Sequence, residues 1–112
     1  MSFAVCPPPP PPPGTPYDGM REPRVGHTGT LLSDGTVFVA GGTGNRFAEL
    51  TSAEVFDPTS GKWTAASALT ERRANHTATL LDDGRVLAAG GDRGSEGLAS
   101  TEVYDQASDT WT

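Results

Sequence analysis

Two stretches of this chain are nearly the same, "HTGTLLSDGTVFVAGG" from His27 to Gly42 and "HTATLLDDGRVLAAGG" from His76 to Gly91, and they stand 49 residues apart. The likeness continues in "SAEVFDPTSGKWT" (Ser52 to Thr64) and "STEVYDQASDTWT" (Ser100 to Thr112) at an offset of 48, so one residue is lost in the loop between. Upstream, "MREPRVGH" (Met20 to His27) aligns with "LTERRANH" (Leu69 to His76). A period of about 20 to 50 residues marks a repeat architecture, in which one unit cannot bury its apolar faces alone and stacks on its neighbours. Nearly everything after Gly19 obeys this constraint.

Within a unit nothing has helical periodicity. Short runs rich in Thr, Val, Leu and Phe alternate with turn signals, so the unit is expected to be all-β. "HTATLL" and "RVLAAGG" read as antiparallel strands joined at Asp83-Gly84, where glycine accepts a positive φ without steric cost. A variable loop follows, "TGNRFAELT" in one unit and "DRGSEGLA" in the other, and then a third strand, "AEVFD" or "TEVYD". The turns "PTSG" and "QASD" lead to a fourth strand carrying Trp63 or Trp111. The expected unit is a four-stranded meander with apolar residues on both faces, which must be covered twice.

Composition limits what such a chain can meet. Eight Lys and Arg against 14 Asp and Glu give a net charge of -6, and only Arg72-Arg73 are adjacent, which argues against a nucleic-acid backbone or an anionic membrane surface. Cys6 is the only cysteine, so no intrachain disulfide and no thiolate zinc site can form. No apolar run reaches the roughly 18 residues of a membrane helix, and "MSFAV" is short for a signal-peptide core. Val5 is too large for the position before a lipoprotein cysteine, and the compartment stays open. Residues 1–19 contain seven consecutive prolines, expected to form an extended polyproline II spacer; the alternative use is as a ligand for an SH3, WW or EVH1-type groove.

The double glycines, the "EVFD" and "EVYD" strands, the Trp six residues after their Asp, the Arg-x-x-His start and the "TLLxDG" hairpin together resemble the kelch repeat of galactose-oxidase-like β-propellers. The resemblance implies a propeller of four-stranded blades with ligands met by loops on one face. Its boundaries here would be an arm at 1–19, a first blade at 20–68 and a second at 69–112, truncated at its end. Propellers close with about four to eight blades. Two blades therefore imply either part of a longer propeller or a ring built from several copies.

Repetition also separates scaffold from site. A residue that recurs in each unit serves what every blade does, whereas an asymmetric site uses residues that differ. His27 and His76 recur and are expected to hydrogen-bond within their blades rather than bind metal. Gly41, Gly42, Gly90 and Gly91 recur with no phosphate-loop motif and are expected to allow close strand packing. Phe56 with Trp63 and Tyr104 with Trp111 read as cross-strand core pairs. Glu54 with Arg24 and Glu102 with Arg73 read as one ion pair per unit. What differs is the loop after the double glycine, with Asn45, Arg46 and Glu49 in one unit and Asp92, Arg93, Ser95 and Glu96 in the other, together with Arg72, which aligns with Pro23. These eight are the candidate binding residues, since loops on a rigid scaffold commonly carry binding, and Arg with Asn or Glu suits hydroxyl-rich or peptide ligands. "DRGSEG" lacks the alternating Asp spacing of a calcium loop. Asn75-His76-Thr77 is a glycosylation triplet whose Thr opens a strand.

The function expected is a non-catalytic scaffold that binds protein or glycan through its loops, with no cofactor. No Ser-His-Asp or Cys-His constellation is present in the blades. The alternative is part of a galactose-oxidase-like or other carbohydrate-active enzyme. The resemblance would imply copper held by Tyr and His with a Tyr-Cys cross-link, yet the blades have no Cys and Tyr104 stands where the other unit has Phe56. Self-association through open blade faces is also expected. On this reading Trp63→Ala costs roughly 3 to 5 kcal/mol and Arg46→Ala stays within about 0.5, measurable as urea midpoints.

Overall fold

The computed structural model describes residues 18–112; the proline run, Cys6 and most of the arm lie outside the described residues. The first sheet contains β1 (Thr28–Leu31), β2 (Val37–Ala40), β3 (Ala53–Asp57) and β4 (Lys62–Ala66), paired antiparallel in the order β1-β2-β3-β4. The second contains β5 (Thr77–Leu80), β6 (Val86–Ala89), β9 (Thr101–Asp105) and β10 (Thr110–Trp111), in the order β10-β9-β6-β5. Between β6 and β9 a small extra hairpin, β7 (Asp92–Arg93) with β8 (Glu96–Gly97), occupies the loop after the second double glycine. No helix occurs among the described residues, and the two four-stranded meanders stand as the repeats require.

The β1–β2 turn shows how sequence sets the register. The Gly35 N–H donates to Leu32 O at 3.0 Å and the Leu32 N–H to Thr36 O at 2.8 Å, with Gly35 at φ 88°. Gly84 repeats this at φ 89°. This is a three-residue hairpin loop whose left-handed position favours glycine. Asp34 and Asp83 each accept the N–H two residues on, at 3.0 and 3.1 Å, which holds the turn by a local bond.

At the opposite end of each sheet lies the expected ion pair, embedded in a larger cluster. Arg24 Nη1 donates to Gly41 O at 2.8 Å and Ser52 O at 3.0 Å, while Nη2 donates to Ser52 Oγ at 3.1 Å and Glu54 Oε2 at 2.9 Å. Arg73 makes the same four bonds to Gly90 O, Ser100 O, Ser100 Oγ and Glu102 Oε2, at 2.9 to 3.1 Å. Each Glu also accepts two backbone N–H groups of the lead-in segment: Arg21 and Glu22 on Glu54, Thr70 and Glu71 on Glu102. Burial pushes the Glu102 carboxyl up, but the amides of Thr70 and Glu71 and the Arg73 guanidinium outweigh it, so Glu102 is held below its ordinary value.

The blades pack face to face. Phe38 of the first stacks on Tyr104 of the second with centroids 4.3 Å apart, and Trp111 lies 5.7 Å from Phe38. Ala40, Ala53 and Leu32 from one side meet Val86, Ala88 and Leu69 from the other in one core. Among the equivalent residues on the outer faces Val39 stays buried at 5% exposure, but the aromatic and leucine positions have less cover. Phe56 and Trp63 are half-buried although Tyr104 is 2% exposed, and Leu87 is half-buried although Phe38 is 1% exposed. The reading of both aromatic pairs as core thus holds fully for Tyr104, whereas Phe56 and Trp63 form a pair 4.9 Å apart on an open face.

Polar contacts between the blades correct a second expectation. The His76 ring does not bond within its own blade; Nε2 meets Thr28 Oγ1 of the first blade at 3.0 Å. Its equivalent, His27, is exposed. Asn75 N–H donates to Gly26 O, Gly42 N–H to Arg73 O and Leu69 N–H to Thr51 O, at 2.7 to 2.9 Å. Gly41 permits this approach, since a Cβ there would sit 2.4 Å from Arg73 O. Asp109, at φ 53°, accepts from Tyr104 OH at 2.7 Å and from Ser67 N–H at 2.9 Å, tying the end of the first blade to the last turn of the second. The first unit has Phe56 and Gly61 at those two positions.

Burial holds the His76 imidazole down to about 4, and the charges of Arg73 and His27 add to the effect. A folded value below the ordinary 6.5 means the unfolded chain takes up the proton first, so the contribution is full above about pH 6.5 and is lost as pH falls toward 4. Urea midpoints should therefore decline between pH 7 and pH 5, and His76→Gln should flatten that decline. An unchanged slope in the variant would assign the acid sensitivity elsewhere.

Candidate functional site

The start of β1, the end of β2, the start of β3 and the end of β4 share one end of each sheet, so the β2–β3 loop and the lead-in to β1 lie together there. The Arg24 and Arg73 clusters form the floor of this end. In the first blade the loop is pinned by Val25 and Thr43, which exchange backbone bonds at 3.0 and 2.7 Å, and by Gly44 N–H on Ala48 O at 3.0 Å. Asn45, Arg46, Phe47 and Ala48 project from the tip as exposed residues. In the second blade Ala74 and Asp92 exchange the equivalent bonds at 3.0 and 2.8 Å, and the loop folds into the β7–β8 hairpin.

The structure divides the eight candidates. Glu49 and Arg72 come together: they line a cleft of about 280 Å³ with Glu22, Leu50 and Ser52, formed where the first blade's loop meets the lead-in to the second. Asn45 and Arg46 line an adjoining hollow that shares Glu22 and Leu50 with it. Among the described residues Arg46, Glu49 and Arg72 make no ion pair, so their charges remain available to a ligand. Asp92, Arg93, Ser95 and Glu96 line neither hollow. Arg93 pairs with Glu96 at 3.5 Å, and Asp92 accepts from Asn75 Nδ2 at 3.0 Å, which ties up much of the hairpin's hydrogen-bonding capacity.

Two residues of this end escaped the comparison of repeats. Glu22 recurs as Glu71, so a search for residues that differ passes over it, yet it lines both hollows and accepts a hydrogen bond from Ser52 Oγ. Phe47 has no aromatic counterpart in the second loop and is 89% exposed with φ 55°. Its signal was present in the same rule that selected Asn45 and Arg46, since it too differs between blades.

The family model described as the Kelch motif matches residues 24–70 and again 72–112. The chain belongs to the kelch family. Comparison of this kelch chain with curated proteins finds no match. Among solved structures, 117 chains match. One is a novel fungal alcohol oxidase of the AA5 family in complex with copper, with a TM-score of 0.65 and 24% sequence identity over 80% of this chain. The likeness is one of fold, and the kelch chain spans 18% of that oxidase. Copper chemistry needs a donor set, and among the described residues no three His, Cys, Asp or Glu side chains gather where they could hold a metal ion. Tyr104 is packed between Phe38 and Trp111 with its hydroxyl on Asp109, and burial pushes its pKa up. The described residues therefore do not fit a copper centre.

Proposed function

We propose that this kelch chain presents a non-catalytic recognition surface for a protein or a glycan at the loop end of its blades. The observation that carries the reading is the cleft between the first blade's loop and the second blade's lead-in, where Glu49 and Arg72 stand without ion-pair partners. A guanidinium offers a planar fork of donors and a carboxylate offers acceptors. Together they suit a peptide backbone with its charged side chains or the vicinal hydroxyls of a sugar. Asn45 extends the set with a donor and an acceptor in the adjoining hollow. Rigid sheets beneath the loops limit the entropy lost on binding.

The fold likeness to an oxidase favours one second reading, in which these blades belong to a carbohydrate-active propeller enzyme. On that reading the reacting groups come from residues beyond the two blades, and the cleft orients substrate.

The test is a binding screen of the 112-residue chain against a glycan array and a peptide library, repeated with Glu49→Ala/Arg72→Ala. A ligand of this surface should lose at least about tenfold in affinity, the equivalent of about 1.4 kcal/mol, while the urea midpoint stays where it was. Ligands held equally well by the double variant would place recognition elsewhere.

A further inference from the structure

Three tight turns of this chain share one hydrogen-bond pattern, in which the first residue's N–H donates to the fifth residue's carbonyl and the fourth residue's N–H to the first residue's carbonyl. Leu32 to Thr36 makes these bonds at 2.8 and 3.0 Å, Leu81 to Arg85 at 2.7 and 2.9 Å, and Gly44 to Ala48 at 3.0 and 3.1 Å. The fourth residue is left-handed in all three, with φ 88° at Gly35, 89° at Gly84 and 55° at Phe47. Two of the turns place glycine there, as the geometry favours. The third places a phenylalanine, whose Cβ makes that conformation costly.

No packing offsets that cost, for Phe47 is 89% exposed. Neighbouring blades do not govern this exposure. The first loop has the second blade beside it, and its tip stays exposed. The second loop has the first blade on its other side, and Arg93, Gly94, Ser95 and Glu96 at its tip are exposed too. A blade on either side thus leaves the tip in water. A large ring held there by a turn suited to glycine serves something other than the fold.

The surroundings of the ring select a ligand class. Phe47 and Asn45 line one hollow, Asn45 lines the next with Arg46 and Glu22, and Glu22 lines the cleft of Glu49 and Arg72. Apart from Arg24, which Glu54 neutralises, this row sets Arg46 and Arg72 against Glu22 and Glu49. Its charges cancel, which gives no net attraction to an acidic or a basic peptide. Its mixed donors and acceptors suit hydroxyl groups, each of which is both. The face of a phenyl ring is the negative side of its quadrupole. The C–H groups on one face of a pyranose, polarised by the oxygens on their carbons, are partly positive and match it.

Taking the loop end as the recognition surface proposed above, we infer that its ligand is a neutral oligosaccharide, one pyranose of which stacks its C–H face on the Phe47 ring. Asn45, Arg46 and the cleft of Glu49 and Arg72 hydrogen-bond the hydroxyls of the adjoining sugar units.

Titration calorimetry of the 112-residue chain with neutral gluco-, manno-, xylo- and galacto-oligosaccharides tests this. At least one should bind, and Phe47→Gly should weaken it by about tenfold or more. Phe47→Tyr should keep the affinity, whereas Phe47→Leu, apolar without a flat ring, should lose it as glycine does. Because glycine suits the turn, the urea midpoint of Phe47→Gly should match or exceed that of the parent chain. Full affinity in Phe47→Gly or Phe47→Leu overturns the inference, as does lost affinity in Phe47→Tyr, a lower midpoint in Phe47→Gly, or failure of every sugar to bind. If the sugars fail while peptides bind through Glu49 and Arg72, the ligand class and the role of Phe47 are wrong and the recognition surface stands. If neither binds, the recognition surface falls as well.

Discussion

A buried guanidinium at the entrance to each blade holds the loop end together. Arg24 and Arg73 each collect two carbonyls, a serine hydroxyl and a carboxylate, and each carboxylate in turn takes two amides of the lead-in segment. Three strands' worth of backbone converge there with no regular ladder to satisfy them. A planar five-donor fork reaches that many acceptors at once, which an ammonium cannot. Burying a charge in this way adds little stability by itself, because desolvation offsets the attraction, whereas removing one partner leaves the other as an uncompensated buried charge. The β2–β3 loops and the cleft with Glu49 and Arg72 stand on that arrangement.

The interface between blades adds the apolar half. Phe38 on Tyr104 and the close seat of Gly41 on Arg73 O bring the sheets together, and the Arg73 cluster lies next to that seat. Arg73 is consequently fully buried while Arg24, at the outer blade, keeps 6% exposure. One residue thus serves both its own sheet and its neighbour: its side chain clamps the second blade and its carbonyl receives Gly42 N–H of the first at 2.9 Å.

What repeats within a unit was legible in the sequence. The Asp-Gly turns, the four strands, the pairing of Phe56 with Trp63 and Tyr104 with Trp111, and the Arg–Glu pairs all follow from equivalences at a fixed offset. What joins one unit to the next was not, because those contacts pair positions that are not equivalent. His76 on Thr28 is such a case, and it reads as intrablade until the blades are placed. Tyr104 with Asp109 carried a signal, since both depart from Phe56 and Gly61 together, but only geometry reveals that Ser67 is the third member. At the loop end, the rule that differing residues make the site selected Arg72 and Glu49, which the fold brings to one cleft. It could not foresee that Arg93 and Glu96 would pair with each other across a hairpin, nor that a recurring Glu22 would face the cleft.

The Arg73 cluster organises the second blade and its junction with the first. Its most direct test is the urea-unfolding free energy of Arg73→Met, which keeps much of the side chain's bulk and removes the fork. With Glu102 left buried beside two amides and no cation, a loss of about 3 to 5 kcal/mol is expected. A loss below about 0.5 kcal/mol, the range of an ordinary surface substitution, would contradict it.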